Sequence, residues 1–170
     1  MAQNVEIKAR VESLETIRNL VQPHVTDSLG TQNQVDTYFN TPRGRLKIRQ
    51  IDGQSGQLIW YLRPDATQAR ISHYSIIDPV PKGLFEVLAE AYGRRIRVVK
   101  RREILLHHNV RIHLDEVESL GTFIELEGVI GDFGDEEISR KRVVFLCEVM
   151  KLSPNHYVET SYGELLGGLD

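Results

Sequence analysis

The 170-residue sequence holds a single cysteine, Cys147. No disulfide can form within the chain, and a reducing cytoplasm is the expected home. No apolar run approaches the roughly 18–20 residues of a membrane helix. Asn4, Glu6, Lys8 and Arg10 stand where a secretory leader would carry its apolar core. No membrane partner is therefore expected. An excess of basic charge is missing as well. Lys and Arg total 21 against 24 Asp and Glu, a net charge of −3, which argues against a nucleic-acid partner. Among six histidines there is no H-E-x-x-H pair, and no G-x-x-x-x-G-K-[ST] loop occurs. Any nucleotide must then be gripped by side chains rather than by a glycine-rich backbone cradle. Neither a repeat nor a linker divides the sequence, so residues 1–170 are expected to form one domain.

What is present is alternation. In Val5-Glu6-Ile7-Lys8-Ala9-Arg10-Val11 the odd positions are apolar and the even ones charged, the pattern of a strand with one apolar and one polar face. Further strands are expected over Gln34–Phe39, Arg45–Arg49, Leu58–Arg63, Arg70–Ile77, Arg97–Leu106, Val110–Glu116 and Thr122–Gly128. Asn40-Thr41-Pro42-Arg43-Gly44, Asp52-Gly53 and His107-His108-Asn109 mark turns between them. Three helices are expected. The first runs from Ser13 to Gln22, with Leu14, Ile17, Leu20 and Val21 as its stripe and Pro23 as its exit. The second, Pro81–Tyr92, carries Leu84, Val87, Leu88 and Ala91 and ends at Gly93. The third, Asp135–Met150, carries Ile138, Arg142, Phe145 and Val149 down one side. Ser161-Tyr162-Gly163-Glu164 has the form of a capping box. Eight strands with helices grouped between them indicate an α+β protein with a mostly antiparallel sheet.

The polar faces share a character. Glu6, Lys8 and Arg10 lie on the first strand; Lys47 and Arg49 on the third; Tyr61 and Arg63 on the fourth. Arg70 is the candidate on the fifth. Lys100 and Arg102 follow on the sixth, Arg111, His113 and Asp115 on the seventh, Glu125 and Glu127 on the eighth. Each set is spaced by two and so shares one strand face. Taken singly, such a face is ordinarily solvated. Seven strands with mostly cationic faces would repel one another unless an anion or an acidic group sat among them. Closing the sheet would bury those cations around an interior, where charge must be paired. A triphosphate would satisfy them, and Glu6, Asp115, Glu125 and Glu127 suit a divalent ion that bridges carboxylates and phosphate oxygens.

Asn4-Val5-Glu6-Ile7-Lys8 resembles the E-x-E-x-K signature of CYTH proteins, which include class IV adenylyl cyclases, thiamine triphosphatases and inorganic triphosphatases. Asp115-Glu116-Val117 followed by Leu120-Gly121-Thr122-Phe123-Ile124-Glu125-Leu126-Glu127 resembles the D-x-V…L-G-x-F-x-E-x-E stretch of that family. Gln34–Phe39, Lys100-Arg101-Arg102 and Ser161-Tyr162 fall where the family places similar elements. The resemblance implies a closed eight-stranded antiparallel β-tunnel with helices packed outside, a triphosphate partner, Mg²⁺ or Mn²⁺ as cofactor, and a homodimer. It implies metal positions at Glu6, Asp115 and Glu125, with Glu127 as a further candidate. It implies catalytic positions at Glu6, Lys8, Asp115 and Glu125. Phosphate contacts are implied at Lys8, Arg49, Arg63, Lys100, Arg102 and Arg111, and their strand faces add Arg10 and Lys47. The expected activity is cyclisation of ATP to cyclic AMP and pyrophosphate. The alternatives are hydrolysis of thiamine triphosphate or inorganic triphosphate, and a non-catalytic nucleotide- or polyphosphate-binding module. The sequence departs from the signature in one place: Asn4 occupies its first acidic position and brings no charge.

Four other residues draw attention. His113 shares its face with Arg111 and Asp115, though a lone strand histidine is usually satisfied locally. Tyr162 is placed either at the tunnel mouth or against the C-terminal segment. Trp60 is expected under a helix and Cys147 in the core.

Overall fold

The computed structural model describes residues 1–54, 56–62 and 69–167. Eight strands are present: β1 (Ala2–Arg10), β2 (Asp27–Phe39), β3 (Arg45–Ile51), β4 (Gln57–Leu62), β5 (Arg70–Ile77), β6 (Arg94–His107), β7 (Val110–Val117) and β8 (Gly121–Ile130). The helices are α1 (Leu14–Val21), α2 (Leu84–Tyr92), α3 (Glu136–Val149) and α4 (Tyr162–Leu165). The strands form a closed antiparallel barrel in the order β1-β5-β4-β3-β2-β6-β7-β8, with β8 pairing back to β1. The expected α+β fold with a closed eight-stranded barrel is the one the chain adopts.

Alternation assigns each residue to a wall. On β1, Val5, Ile7 and Ala9 turn outward and are buried, while Glu6 and Lys8 turn inward. The outward faces of β1, β7 and β8 meet α1 and α3 in the main core, which includes Ile112, Leu114, Ile124, Leu126, Val143 and Leu146. Burying each such side chain contributes about 1.5–3 kcal/mol, and this layer holds the barrel shut from outside. A smaller core of Tyr38, Val98, Val117, Phe123 and Tyr162 closes one end beneath α4. Ser161 and Glu164 form the capping box read from the sequence, with Ser161 N–H donating to Glu164 at 2.6 Å and Glu164 N–H to Ser161 Oγ at 3.3 Å.

Several local expectations are corrected. The buried stripe of α3 is Ser139, Val143, Leu146 and Cys147, whereas Ile138 and Phe145 are exposed. The helix is rotated because Ser139 lies against Gly128 of β8, where a Cβ would stand 3.0 Å from the serine Cβ. A small residue on each side lets helix and sheet meet closely. In α2, Val87 is exposed, and Phe85 packs edge-to-face on Phe39 with centroids 5.8 Å apart. Pro23 does mark the exit of α1, which ends at Val21, and it lies within a 3-10 turn over Gln22–His24. The second strand begins at Asp27, seven residues before Gln34, since pairing with β6 carries it through a bulge between Ser28 and Gly30. Trp60 packs over the β2–β3 turn and donates to Arg43 O at 3.1 Å, rather than lying under a helix. His107, expected in a turn, instead ends β6 and is half-buried, with Nδ1 2.8 Å from His24 O.

Candidate active site

Register decides which inward side chains meet. Directly opposed pairs include Asp36 with Arg49, Tyr38 with Lys47, Gln34 with Lys100, Arg102 with Asp115, Lys8 with Glu125, and Glu6 with Glu127. Together these inward faces enclose a cavity of about 340 Å³.

One wall, from β2, β3 and β6, is built around Asp36, which is 1% exposed. Its carboxylate accepts from Lys47 Nζ at 2.8 Å, from Lys100 Nζ at 2.8 Å, and from Arg49 Nε and Nη2 at 2.7 and 2.9 Å. Burial by itself would raise this carboxyl, but Arg49, Lys100 and Lys47 hold it well below the ordinary carboxylate value. The cations are the strained partners. Burial, with Arg49 beside it, pushes Lys47 down to about 8, and burial holds Lys100 well below its ordinary value despite Asp36. Three cations around one carboxylate leave this wall with a surplus of positive charge.

The facing wall, from β1, β7 and β8, joins to it through Arg102. Its guanidinium donates to Asp115 at 2.7 and 2.6 Å and to Glu125 at 2.8 Å. Tyr162 Oη also donates to Asp115, at 2.7 Å. Lys8 Nζ stands 3.8 Å from Glu125 and 4.0 Å from the centre of the Tyr162 ring. Burial would raise Glu125, but Lys8, His113 and Arg102 draw it well below its ordinary value. Arg70 Nε lies 3.5 Å from Glu6, and Arg111 3.7 Å from Glu127.

On this wall His113, Glu125 and Glu127 each offer a ligand atom, all within 4.8 Å of one another. His113 is 3% exposed. Its Nδ1 is buried without a hydrogen-bond partner, 3.6 Å from Glu125 and 3.9 Å from Glu127. A nitrogen and two carboxylates converging at that spacing could hold a divalent cation, with the two carboxylates as the part of the set suited to sharing it with phosphate oxygens.

Of the residues singled out from the sequence, Glu6, Lys8, Lys47, Arg49, Lys100, Arg102, Arg111, Glu125 and Glu127 line the cavity. Asp115 is buried and engaged by Arg102 and by Tyr162, so the group that could hold a cation contains His113 and Glu127 alongside Glu125. Arg10 ends its strand exposed, donating to Leu120 O at 2.6 Å and lying over Phe123. Arg63 lies outside the described residues. Asp36 is a site residue absent from the set expected from the sequence. The signal was available, since Gln34, Asp36 and Tyr38 alternate with Val35, Thr37 and Phe39, and one acid amid basic strands is where their charge must be balanced.

A model of the CYTH domain matches residues 2–162. The chain belongs to the CYTH domain family. Its similarity to a Methanocaldococcus jannaschii protein provisionally named an adenylate cyclase is 31% identity, over 96% of this chain and 98% of that protein. Among solved structures, a Pyrococcus horikoshii protein shares the fold with a TM-score of 0.80 at 24% identity, over 95% of this chain and 98% of its own. A Hippeastrum protein, described as an adenylyl cyclase candidate with a dominant triphosphatase activity, superposes with a TM-score of 0.61 at 16% identity, over 98% of this chain and 95% of its own. No helix among the described residues is long and apolar enough to cross a membrane.

Proposed function

We propose that this CYTH protein is a metal-dependent enzyme acting on a triphosphate, with cyclisation of ATP to cyclic AMP and pyrophosphate as its leading reaction. The observation that carries the reading is the surplus of buried cations around Asp36, set across one cavity from a cation-competent group. Lys47, Arg49 and Lys100 would grip phosphate oxygens, with Lys8, Arg102 and Arg111 completing the grip from the facing wall. A triphosphate is the anion that neutralises so many charges along one cavity. Glu125, Glu127 and His113 would hold Mg²⁺ or Mn²⁺, with Glu6 beside them. The ion supplies charge stabilisation at phosphoryl oxygens. In cyclisation the ribose 3′-oxygen bonds to the α-phosphorus as the bond to pyrophosphate breaks. The basic residues stabilise charge on the leaving oxygens, a task of positioning and electrostatics that needs no nucleophilic side chain.

The name of the Methanocaldococcus jannaschii relative supports cyclisation. A second reading, attack of water on the terminal phosphorus, is favoured by the activity described for the Hippeastrum protein. The two differ in the phosphorus attacked, not in the groups required. Incubation with ATP, thiamine triphosphate and inorganic triphosphate, each with Mg²⁺ or Mn²⁺, followed by ³¹P NMR of the products, separates them. Pyrophosphate with cyclic AMP is the expected result and orthophosphate release would select hydrolysis. Tight binding of all three without turnover would instead make the protein a binding module.

A further inference from the structure

Of the acids expected to hold a metal, Asp115 and Glu6 are already committed. Asp115 accepts from Arg102 at 2.7 and 2.6 Å and from Tyr162 at 2.7 Å, and Glu6 lies 3.5 Å from Arg70. One inward step before Glu6 stands Asn4, buried, whose Oδ1 has no hydrogen-bond partner. It can offer an oxygen but no charge. The remaining acids are shared as well, since Glu125 accepts from Arg102 at 2.8 Å and Glu127 lies 3.7 Å from Arg111. A carboxylate that already faces a guanidinium exerts less net attraction on an incoming cation. His113 differs from all of these. It stands opposite Glu125 in the β7–β8 register, and at 3.6 Å its buried Nδ1 is beyond hydrogen-bond reach of that carboxylate. What it brings to the group is a nitrogen donor in place of charge.

The donor set bears on which ion can bind. Mg²⁺ is held through charge by oxygen donors and gives up its water reluctantly. Imidazole nitrogen suits first-row transition ions, and the affinity of a mixed nitrogen and oxygen site rises along that row from Mn²⁺. One imidazole with two carboxylates that are each shared with an arginine falls short of what Mg²⁺ uses, yet supplies what a transition ion uses. We infer that His113 decides which ion this protein takes, so that a first-row transition ion of the Mn²⁺ kind is bound in preference to Mg²⁺. The inference rests on the metal-dependent reading above, which treats the two ions alike, and it assigns the choice between them to one side chain.

Electron paramagnetic resonance of Mn²⁺ added to the metal-free protein tests it independently of turnover. Bound Mn²⁺ in wild type should show ¹⁴N coupling from a directly ligated imidazole in electron spin-echo modulation. Mg²⁺ should displace it only at about tenfold excess or more. His113→Asn sets an amide where Nδ1 stood and removes the imidazole. The ¹⁴N coupling should then vanish, Mn²⁺ affinity should fall by about tenfold, and Mg²⁺ affinity should change by less than about twofold. Thermal melting verifies that the variant is folded, and the wild-type coupling and displacement decide the matter if it is not. Mn²⁺ that binds without ¹⁴N coupling, or that equimolar Mg²⁺ displaces, overturns the inference while leaving a metal site standing. Failure of Mn²⁺ to bind at all removes the metal site itself, and the inference with it.

Discussion

The β2–β3–β6 wall of the barrel gathers three cations on Asp36, whereas the β1–β7–β8 wall interleaves its carboxylates with Lys8, Arg102, Arg111 and His113. Both are charged and buried, yet they relate to their partners differently. Asp36 is over-supplied, so loss of one of its cations leaves two. Arg102 is under-supplied with substitutes, since it serves Asp115 and Glu125 at once. On the function proposed above, the difference would separate two tasks within one cavity: the first wall would receive negative charge, and the second would balance itself and present oxygen and nitrogen ligands. It also separates residues that tolerate removal from residues that do not.

The largest effects should come from removing what each wall depends on. Asp36→Asn leaves Lys47, Arg49 and Lys100 facing one another without their carboxylate, and should destabilise the protein by about 3–5 kcal/mol in thermal or urea unfolding. Inorganic triphosphate at a hundred times its dissociation constant should restore about 2.7 kcal/mol of that loss. Arg102→Ala should be destabilised on a similar scale, because Asp115 and Glu125 would be buried without their guanidinium, and triphosphate should not rescue it. Equal rescue of both variants would break the contrast between the walls.

Lys100→Ala should behave differently from either. Lys47 and Arg49 still hold Asp36, so folding should survive, while triphosphate affinity should fall by about 1.5–3 kcal/mol for a lost charge-assisted hydrogen bond. Unchanged affinity by calorimetry would move the phosphate grip away from this wall. The smallest effect per step is a pH dependence, at most about 1.4 kcal/mol for each pH unit. With Lys47 near 8 in the folded protein against an ordinary 10.5, the unfolded chain keeps a proton that the folded one releases between those values. The empty protein should therefore gain stability as pH rises through that window. Over the same window metal-free triphosphate affinity should fall, by at most about tenfold per pH unit, and Lys47→Met should flatten the fall.

Legibility in the sequence followed the physics of each element. Period-two alternation in β1, β3, β7 and β8 exposes the inward set directly, and the acidic-basic mixture of that set argues for closure. The buried side of α3 was not legible, because Ile138, Phe145 and Val149 form as plausible a stripe as Val143, Leu146 and Cys147 until Gly128 is known to face Ser139. The first half of β2 was hidden by its composition, Asp27-Ser28-Leu29-Gly30-Thr31, which reads as turn. Which carboxylates converge was beyond strand-by-strand reading, since it depends on register. Asp115 faces Arg102 across β6 and β7, while Glu127 comes alongside His113.

Division of labour between the two walls is tested most directly in Glu125→Gln, which keeps the side chain's size and removes its charge. Mn²⁺ binding would be followed by electron paramagnetic resonance and metal-free triphosphate binding by calorimetry on the same preparation. Mn²⁺ affinity should drop at least about tenfold, in the range seen when a metal site's supporting groups are lost. Triphosphate affinity should stay within about threefold of wild type or rise slightly, since one repelling carboxylate is gone. Unchanged Mn²⁺ binding together with a collapse in triphosphate affinity would contradict the account.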